Sequence, residues 1–288
     1  MRLYSTDEGV AREDRDGILT VLDLPYKDIG TLLDGPGIEA ARTASAVRKV
    51  PLDGVSLQPV VARPGKILVV GLNYPSHAEE TLERFASLGR RDVVLPTEPN
   101  FHIAAGSAVI GHRDPIVLPT VASTHVDYEG ELGVVIGCAA KNVNAHNAWR
   151  HVAGLTVIND ISARDIQRRA YAGDPVASIG VAKSFDSFKP IGPCLVTAEE
   201  FSERVDLHIQ TRVNGQLRQS DRTGTFIHPI PHLISYLSQF HTLEVGDVIA
   251  TGSPRGAGQF SEHFLHVDDL VEVEVERIGT LANRIARP

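Results

Sequence analysis

Val126-Asp127-Tyr128-Glu129-Gly130-Glu131-Leu132-Gly133-Val134-Val135-Ile136-Gly137 is the most informative run of the chain. Leu132 to Ile136 is apolar apart from one glycine, and reads as a strand buried on both faces. Side chains alternate across a strand, so Glu129 and Glu131 point to one side, with Tyr128 and Gly130 on the other. Two carboxylates at roughly 6 Å, with an effective dielectric near 20, repel by about 3 kcal/mol. A hard divalent cation would offset this, because oxygen ligands suit magnesium, calcium or manganese. The spacing alone leaves other readings open: a solvated strand face, or pairing with Lys and Arg.

A second apolar run, Gly154-Leu155-Thr156-Val157-Ile158-Asn159-Asp160, ends in a carboxylate. Asp160 at the tip of a buried strand is placed to supply a third oxygen ligand. Three carboxylates leave about half of an octahedral shell free for water and substrate. The next segment has a helix-opening pattern. If it is helical, Arg164, Gln167 and Tyr171 share one face, which is either a binding face or a solvated one.

Upstream, Lys66-Ile67-Leu68-Val69-Val70-Gly71 reads as a buried strand leading into Leu72-Asn73-Tyr74-Pro75-Ser76-His77-Ala78-Glu79-Glu80-Thr81. Ser76 with Glu79 three residues on predicts a capping box. A helix from His77 puts His77 and Glu80 on one face. A carboxylate beside an imidazole raises its basicity, as a general base requires; an ordinary surface ion pair is the alternative. Residues 82–97, with Arg84, Arg90, Arg91 and Asp92, read as a charged, mobile lid and return loop. Two strands follow around His112-Arg113-Asp114-Pro115, and alternation aims His102 away from the site. Asn214-Gly215 marks a hairpin, and residues 230–237 form a helix with proline near its start. Val248-Ile249-Ala250 is a strand ending at Thr251-Gly252-Ser253-Pro254.

Composition sets limits. The chain has 288 residues, with 28 Lys and Arg against 36 Asp and Glu, a net charge of −8. That balance, with no basic run, argues against nucleic acid as a partner. There is no membrane-length apolar stretch and no signal-peptide pattern. Cys138 and Cys194 lie in apolar runs and read as reduced core residues of a cytoplasmic protein. Residues 1–65 read as a small N-terminal mixed α/β domain with no chemical constellation. Its strands at 1–5 and 17–22 are separated by a charged turn at 12–16, and Arg63-Pro64-Gly65 links it to residues 66–288.

Four ordered blocks carry a family resemblance. They are Asp127-Tyr128-Glu129-x-Glu131; Asn159-Asp160-x-Ser162-Ala163-Arg164-Asp165-x-Gln167; Lys183-Ser184-Phe185-Asp186 with Pro190-Ile191-Gly192-Pro193; and Gly246-Asp247-x-Ile249-x-Thr251-Gly252-x-Pro254-x-Gly256. Together they resemble the fumarylacetoacetate hydrolase family. The resemblance implies an α+β, strand-rich fold: a mixed rolled β-sheet catalytic domain over 66–288, beside the small domain. It implies Glu129, Glu131 and Asp160 as ligands of Mg2+ (or Mn2+ or Ca2+). His77 would be a base oriented by Glu80, and Lys183 would stabilise developing negative charge. Arg164, Gln167, Tyr171 and Thr251 would position a small-molecule 2-oxo acid. The implied reaction is hydrolysis of a C–C bond in an acylpyruvate-like 2,4-dioxo acid, with the metal as Lewis acid stabilising an enolate. Decarboxylation or isomerisation of 2-oxo dicarboxylic acids, such as oxaloacetate or 2-hydroxyhepta-2,4-diene-1,7-dioate, uses the same machinery. A metal-stabilised binding protein is the non-enzymatic alternative. The resemblance also implies a homodimer. One departure stands out: Ile103-Ala104 occupies the place of a customary Lys-Pro pair, removing a cation.

Overall fold

The computed structural model describes residues 1–288. The chain opens with strands β1 (Arg2–Thr6), β2 (Gly9–Arg15) and β3 (Ile18–Leu22). Helices α1 (Ile29–Asp34) and α2 (Ile38–Thr43) lead to β4 (Ala46–Pro51). The expected charged turn at 12–16 is instead mostly strand. Arg12 pairs in register with Leu3 on one side and Thr20 on the other. Its charge is accommodated because Arg12 Nε donates to Asp14 Oδ1 at 2.6 Å, so both sit on one face of the ribbon.

Next come β5 (Ile67–Gly71), α3 (Pro75–Ser87), β6 (Asn100–Ala104), β7 (Val109–Ile110), β8 (Ile116–Val117) and β9 (Val126–Asp127). The expected capping box at Ser76 does not form. Pro75 opens α3, where its missing N–H costs nothing, and Ser76 Oγ donates to Asp221 Oδ2 at 2.6 Å. The centre of the chain holds β10 (Gly130–Ile136), α4 (Ala145–Ala148), β11 (Val152–Asn159), β12 (Ser162–Ala163), α5 (Arg164–Tyr171), α6 (Ile179–Ala182) and β13 (Lys189–Thr197). The remainder is β14 (His208–Val213), β15 (Gln216–Arg222), α7 (Ile230–Phe240), β16 (Val248–Ala250), α8 (Gly258–Ser261), β17 (Leu270–Val275) and β18 (Gly279–Ala286).

The large mixed sheet runs β4-β3-β2-β1-β13-β11-β10-β16-β5-β6. Leu3 pairs with Leu195, so the first 65 residues extend this sheet. They also share a core with it, where Leu3, Val10 and Ile29 pack with Val135, Ile158 and Leu195. A second sheet, β15-β14-β17-β18-β8, packs against the large one, and the main core lies between them. Gly130 makes that packing possible: a Cβ there would meet Thr211 Oγ1 at 2.1 Å and Val273 Cγ1 at 2.8 Å. The second sheet therefore presses directly beneath the strand that carries the paired glutamates. Cys194 is buried as expected, but Cys138 is exposed, because it lies just past the end of β10. No helix is long and apolar enough to cross a membrane.

Candidate active site

β10 and β11 pair antiparallel, with Gly130 opposite Asn159 and Glu131 opposite Ile158. This register brings the start of one strand to the end of the other, so Glu129, Glu131 and Asp160 converge. One carboxylate oxygen from each lies within 4.8 Å of the others, and all three residues are buried. The backbone locks the arrangement. Asp160 N–H donates to Glu129 O at 2.8 Å, and Glu129 N–H donates to Asn159 Oδ1 at 3.2 Å. Gly252 N–H donates to Glu131 Oε2 at 2.7 Å. Gly252 has φ +97°, and a Cβ there would meet Asn73 Cβ at 2.8 Å, so a glycine is needed for this donor to be aimed.

Cations surround two of the three carboxylates. Lys183 Nζ donates to Glu129 Oε2 at 2.5 Å and to Asp160 Oδ2. Arg164 lies 2.8 Å from Glu129 Oε1, and its Nε donates to Asp127 Oδ2 at 2.8 Å. Burial alone would raise Glu129, but Arg164 and Lys183 outweigh it and hold its carboxyl well below the ordinary range. Asp160 is likewise lowered against its burial, by Lys183 and Lys189. Glu131 goes the other way. Burial and the neighbouring Asp160 charge push it well above the ordinary range. Lys183 opposes this shift but forms its salt bridges with Glu129 and Asp160.

The charge count fits a divalent ion. With every group ionised, buried Asp127, Glu129, Glu131 and Asp160 give −4, and buried Arg164, Lys183 and Lys189 give +3, a formal net of −1. A divalent cation would relieve Glu131 and bring the cluster to +1, ready for an anion.

The cluster opens into a cavity of about 510 Å³ lined by His77, Glu129, Glu131, Arg164, Gln167, Tyr171 and Lys183, among others. His77 and Glu80 are both buried on α3, with Nδ1 of one 3.5 Å from Oε2 of the other. Glu80 also accepts from Gly256 N–H at 3.1 Å, which ties α3 to the loop after β16. Phe260 packs edge-on against the His77 ring, with centroids 5.5 Å apart. Arg164 is buried and bonds Gln167 Oε1 at 2.5 Å, whereas Tyr171 sits at the rim and is 69% exposed.

Thr251 does not reach the cavity. Its hydroxyl donates to Leu132 O at 2.9 Å, because the residue still belongs to the sheet edge; Ser253 lines the cavity instead.

The structure departs from the sequence expectation at two residues. Lys189 is fully buried, with Nζ 2.8 Å from Asp160 Oδ1. It also donates to Phe188 O at 3.0 Å and Ile161 O at 3.3 Å. It supplies a second ammonium to the cluster, although Ile103-Ala104 lacks the customary one. The signal was present: a lysine opening the apolar run Lys189-Pro190-Ile191 has no reason to be there without a buried partner. The other is His102, which lines the cavity and does not turn away from it. His102 pairs with Val69 on β5, while Ile103 is 41% exposed.

Residues 66–286 match the family described as Fumarylacetoacetate (FAA) hydrolase C-terminal. The mitochondrial oxaloacetate tautomerase FAHD2A of Homo sapiens is 38% identical over 252 residues, covering 86% of this chain and 76% of the relative. The crystal structure of 5-carboxymethyl-2-hydroxymuconate delta-isomerase from Mycobacterium smegmatis superposes with a TM-score of 0.76 at 31% identity, covering 100% of both chains. Fumarylacetoacetate hydrolase from Exiguobacterium antarcticum gives a TM-score of 0.82 at 28% identity, again over 100% of both chains. The match over most of the chain, the strand-rich fold and the buried acidic triad agree: the chain belongs to the fumarylacetoacetate hydrolase family.

Proposed function

We propose that this chain is a divalent-metal-dependent tautomerase or isomerase of 2-oxo dicarboxylic acids of the oxaloacetate type. The observation that carries the reading is the convergence of the carboxylate cluster, Lys183 and His77 in one cavity. The sequence puts hydrolysis of a 2,4-dioxo acid first, and decarboxylation or isomerisation of a 2-oxo dicarboxylic acid second. The 38% identity to an oxaloacetate tautomerase favours the second, since the hydrolase neighbour stands at 28%.

In the enol-to-keto direction the oxygen on C2 loses a proton and C3 gains one. No water is consumed and no C–C bond breaks. When bound by Glu129, Glu131 and Asp160, a divalent cation, magnesium foremost with manganese or calcium as alternatives, supplies Lewis acidity at the 2-oxo acid head. His77, oriented by Glu80, exchanges the proton at C3. Burial disfavours the Lys183 ammonium, but Asp160 and Glu129 keep it charged, so it offers a fixed positive charge to an oxygen that becomes anionic. Arg164, itself held by Asp127, anchors Glu129 directly, and Gln167 and Tyr171 border the substrate. Thr251 fastens the sheet edge beside the site, its hydroxyl donating to Leu132 O. A homodimer and a cytoplasmic setting complete the proposal, the first supported by the family resemblance and the second by two unpaired cysteines.

Side-by-side assays test it. Ketonisation of oxaloacetate enol should be accelerated in the presence of magnesium or manganese, while acetylpyruvate should be left intact. Rapid cleavage of acetylpyruvate with no effect on oxaloacetate would restore the hydrolase reading.

A further inference from the structure

Two helices carry the lining of the cavity outward from the carboxylate cluster. On α3, His77 is followed by Thr81, Arg84 and Phe85; on α5, Arg164 is followed by Gln167, Arg168 and Tyr171. At the α-helical rise, Arg84 stands roughly 10 Å along α3 from His77, and Arg168 roughly 6 Å along α5 from Arg164. Exposure rises in the same direction, from 9% to 47% between the side chains of His77 and Arg84, and from 1% to 43% between those of Arg164 and Arg168. The cavity is lined by the cations Lys183, Arg164, Arg84 and Arg168. The first two are bound to the carboxylate cluster, so Arg84 and Arg168 alone bring positive charge to the mouth.

The two mouth guanidiniums meet on one atom. Arg84 lies 3.7 Å and Arg168 3.4 Å from Glu262 Oε1, and Arg168 also packs over the Phe264 ring at 5.4 Å. Most of their N–H donors are otherwise free. Glu262 is itself exposed, and exposed pairs of this length are weakly held, so another carboxylate can take its place. The other polar groups of the lining stand deeper, are sealed or are uncharged. Ser253 follows Gly252, whose N–H is on Glu131, and Gln259 N–H donates to Asp127, so both stand at the level of the cluster. The Thr81 hydroxyl and His102 Nε2 are closed off from solvent. Asn100, paired with Gly71 at the end of β5, and Tyr171 at the rim carry no charge. Apolar lining from Phe85, Leu88, Leu95 and Ile179 suits a methylene chain.

We propose that Arg84 and Arg168 form an outer anion subsite, which takes the distal carboxylate of a 2-oxo dicarboxylic acid longer than oxaloacetate and displaces Glu262. The inference rests on reading the cavity as a 2-oxo acid site, and extends it to the far end of the substrate. Glu262 Oε1 demonstrates that a single carboxylate reaches both guanidiniums. Oxaloacetate, with two carbons between its carboxylates, falls short of a helical turn beyond the head. Two further methylenes bring the second carboxylate to the level of Arg168. There the planar guanidinium forks can meet it with paired N–H donors, from one helix on each arginine's side.

Calorimetric titration of the magnesium-loaded protein with 2-oxoadipate and 2-oxohexanoate isolates the second carboxylate, because the two acids share head and chain length. Oxalate probes the head alone. 2-Oxoadipate should bind about tenfold tighter than 2-oxohexanoate or more. Arg84→Met and Arg168→Met should each remove most of that advantage, with oxalate affinity, magnesium content and thermal melts as in the unaltered protein. Glu262→Gln, which frees the pair, should widen the advantage. Equal affinities of the two acids for the unaltered protein, or an advantage that survives both arginine substitutions, would overturn the inference while the site reading stands. A narrowed advantage in Glu262→Gln, or a parallel loss of oxalate in the arginine variants, would overturn it too. Failure of the unaltered protein to bind oxalate would remove the site reading, and this inference with it.

Discussion

His77 Nδ1 lies 3.5 Å from Glu80 Oε2, and the same carboxylate accepts the Gly256 N–H at 3.1 Å. Glu80 thus has two tasks, facing the imidazole and pinning α3 to the loop that closes the cavity. His77→Ala should depress turnover by about 10²–10⁴-fold, the usual contribution of a positioned base. Magnesium affinity should stay nearly intact, because His77 is not among the clustered ligands. Glu80→Gln should be milder in turnover but should loosen the loop at Gly256. Steady-state rates with metal content measured alongside check both, and full activity in His77→Ala would remove it from the mechanism.

Of the three clustered carboxylates Glu131 alone makes no salt bridge, and burial with the Asp160 charge pushes its pKa well above the ordinary range. The bound metal is therefore expected to stabilise the fold, and chelation by EDTA should lower Tm. Glu131→Gln should abolish that metal-dependent rise and lower magnesium affinity at least tenfold, a figure of the order seen when a metal site's support is disturbed. Without metal, the variant should melt close to the unaltered protein, since burial and Asp160 already favour the neutral Glu131 carboxyl there. Scanning calorimetry with and without EDTA reads all of this. A metal-dependent Tm rise that survives the substitution would contradict the assignment.

Gly130 separates the two glutamates and faces Thr211 and Val273 on the second sheet. Gly130→Ala places a methyl group where the facing Thr211 hydroxyl already stands. The two sheets must shift, at a cost of about 1–3 kcal/mol or more. Urea denaturation should show a lowered midpoint with little change in slope. Neutral stability would mean that the sheets are not packed as described.

The homodimer is checked by light scattering. A species near twice 31.1 kDa at micromolar concentration is expected, and a sole 31.1 kDa species would contradict it.

How much was legible in the sequence depended on the range of the interactions. The pairing of Glu129 with Glu131 follows from the two-residue period of a strand, and the His77–Glu80 pairing from the helical one, so both were readable locally. Asp160 was readable as a carboxylate ending an apolar run. Lys189 was not, because its meaning depends on Asp160 lying across the β11–β13 pair. The inward turn of His102 depends on the register of β6 against β5, and alternation alone does not fix which side of an edge strand faces the site. Thr251 was misplaced for the opposite reason: the motif is matched, yet its hydroxyl is held by Leu132 O. The strand character of residues 12–15 was hidden by charge, since Arg12 and Asp14 neutralise each other only once the ribbon forms.

The most direct test of the account is deuterium exchange at C3 of oxaloacetate in D2O, followed by proton NMR with the metal-loaded protein. Exchange is predicted to exceed the blank of buffer and magnesium, to fall to that blank with EDTA, and to fall close to it in His77→Ala. Exchange at the blank rate with the unaltered, metal-loaded protein would contradict the assignment of this site as one that moves a proton at C3 of a 2-oxo acid.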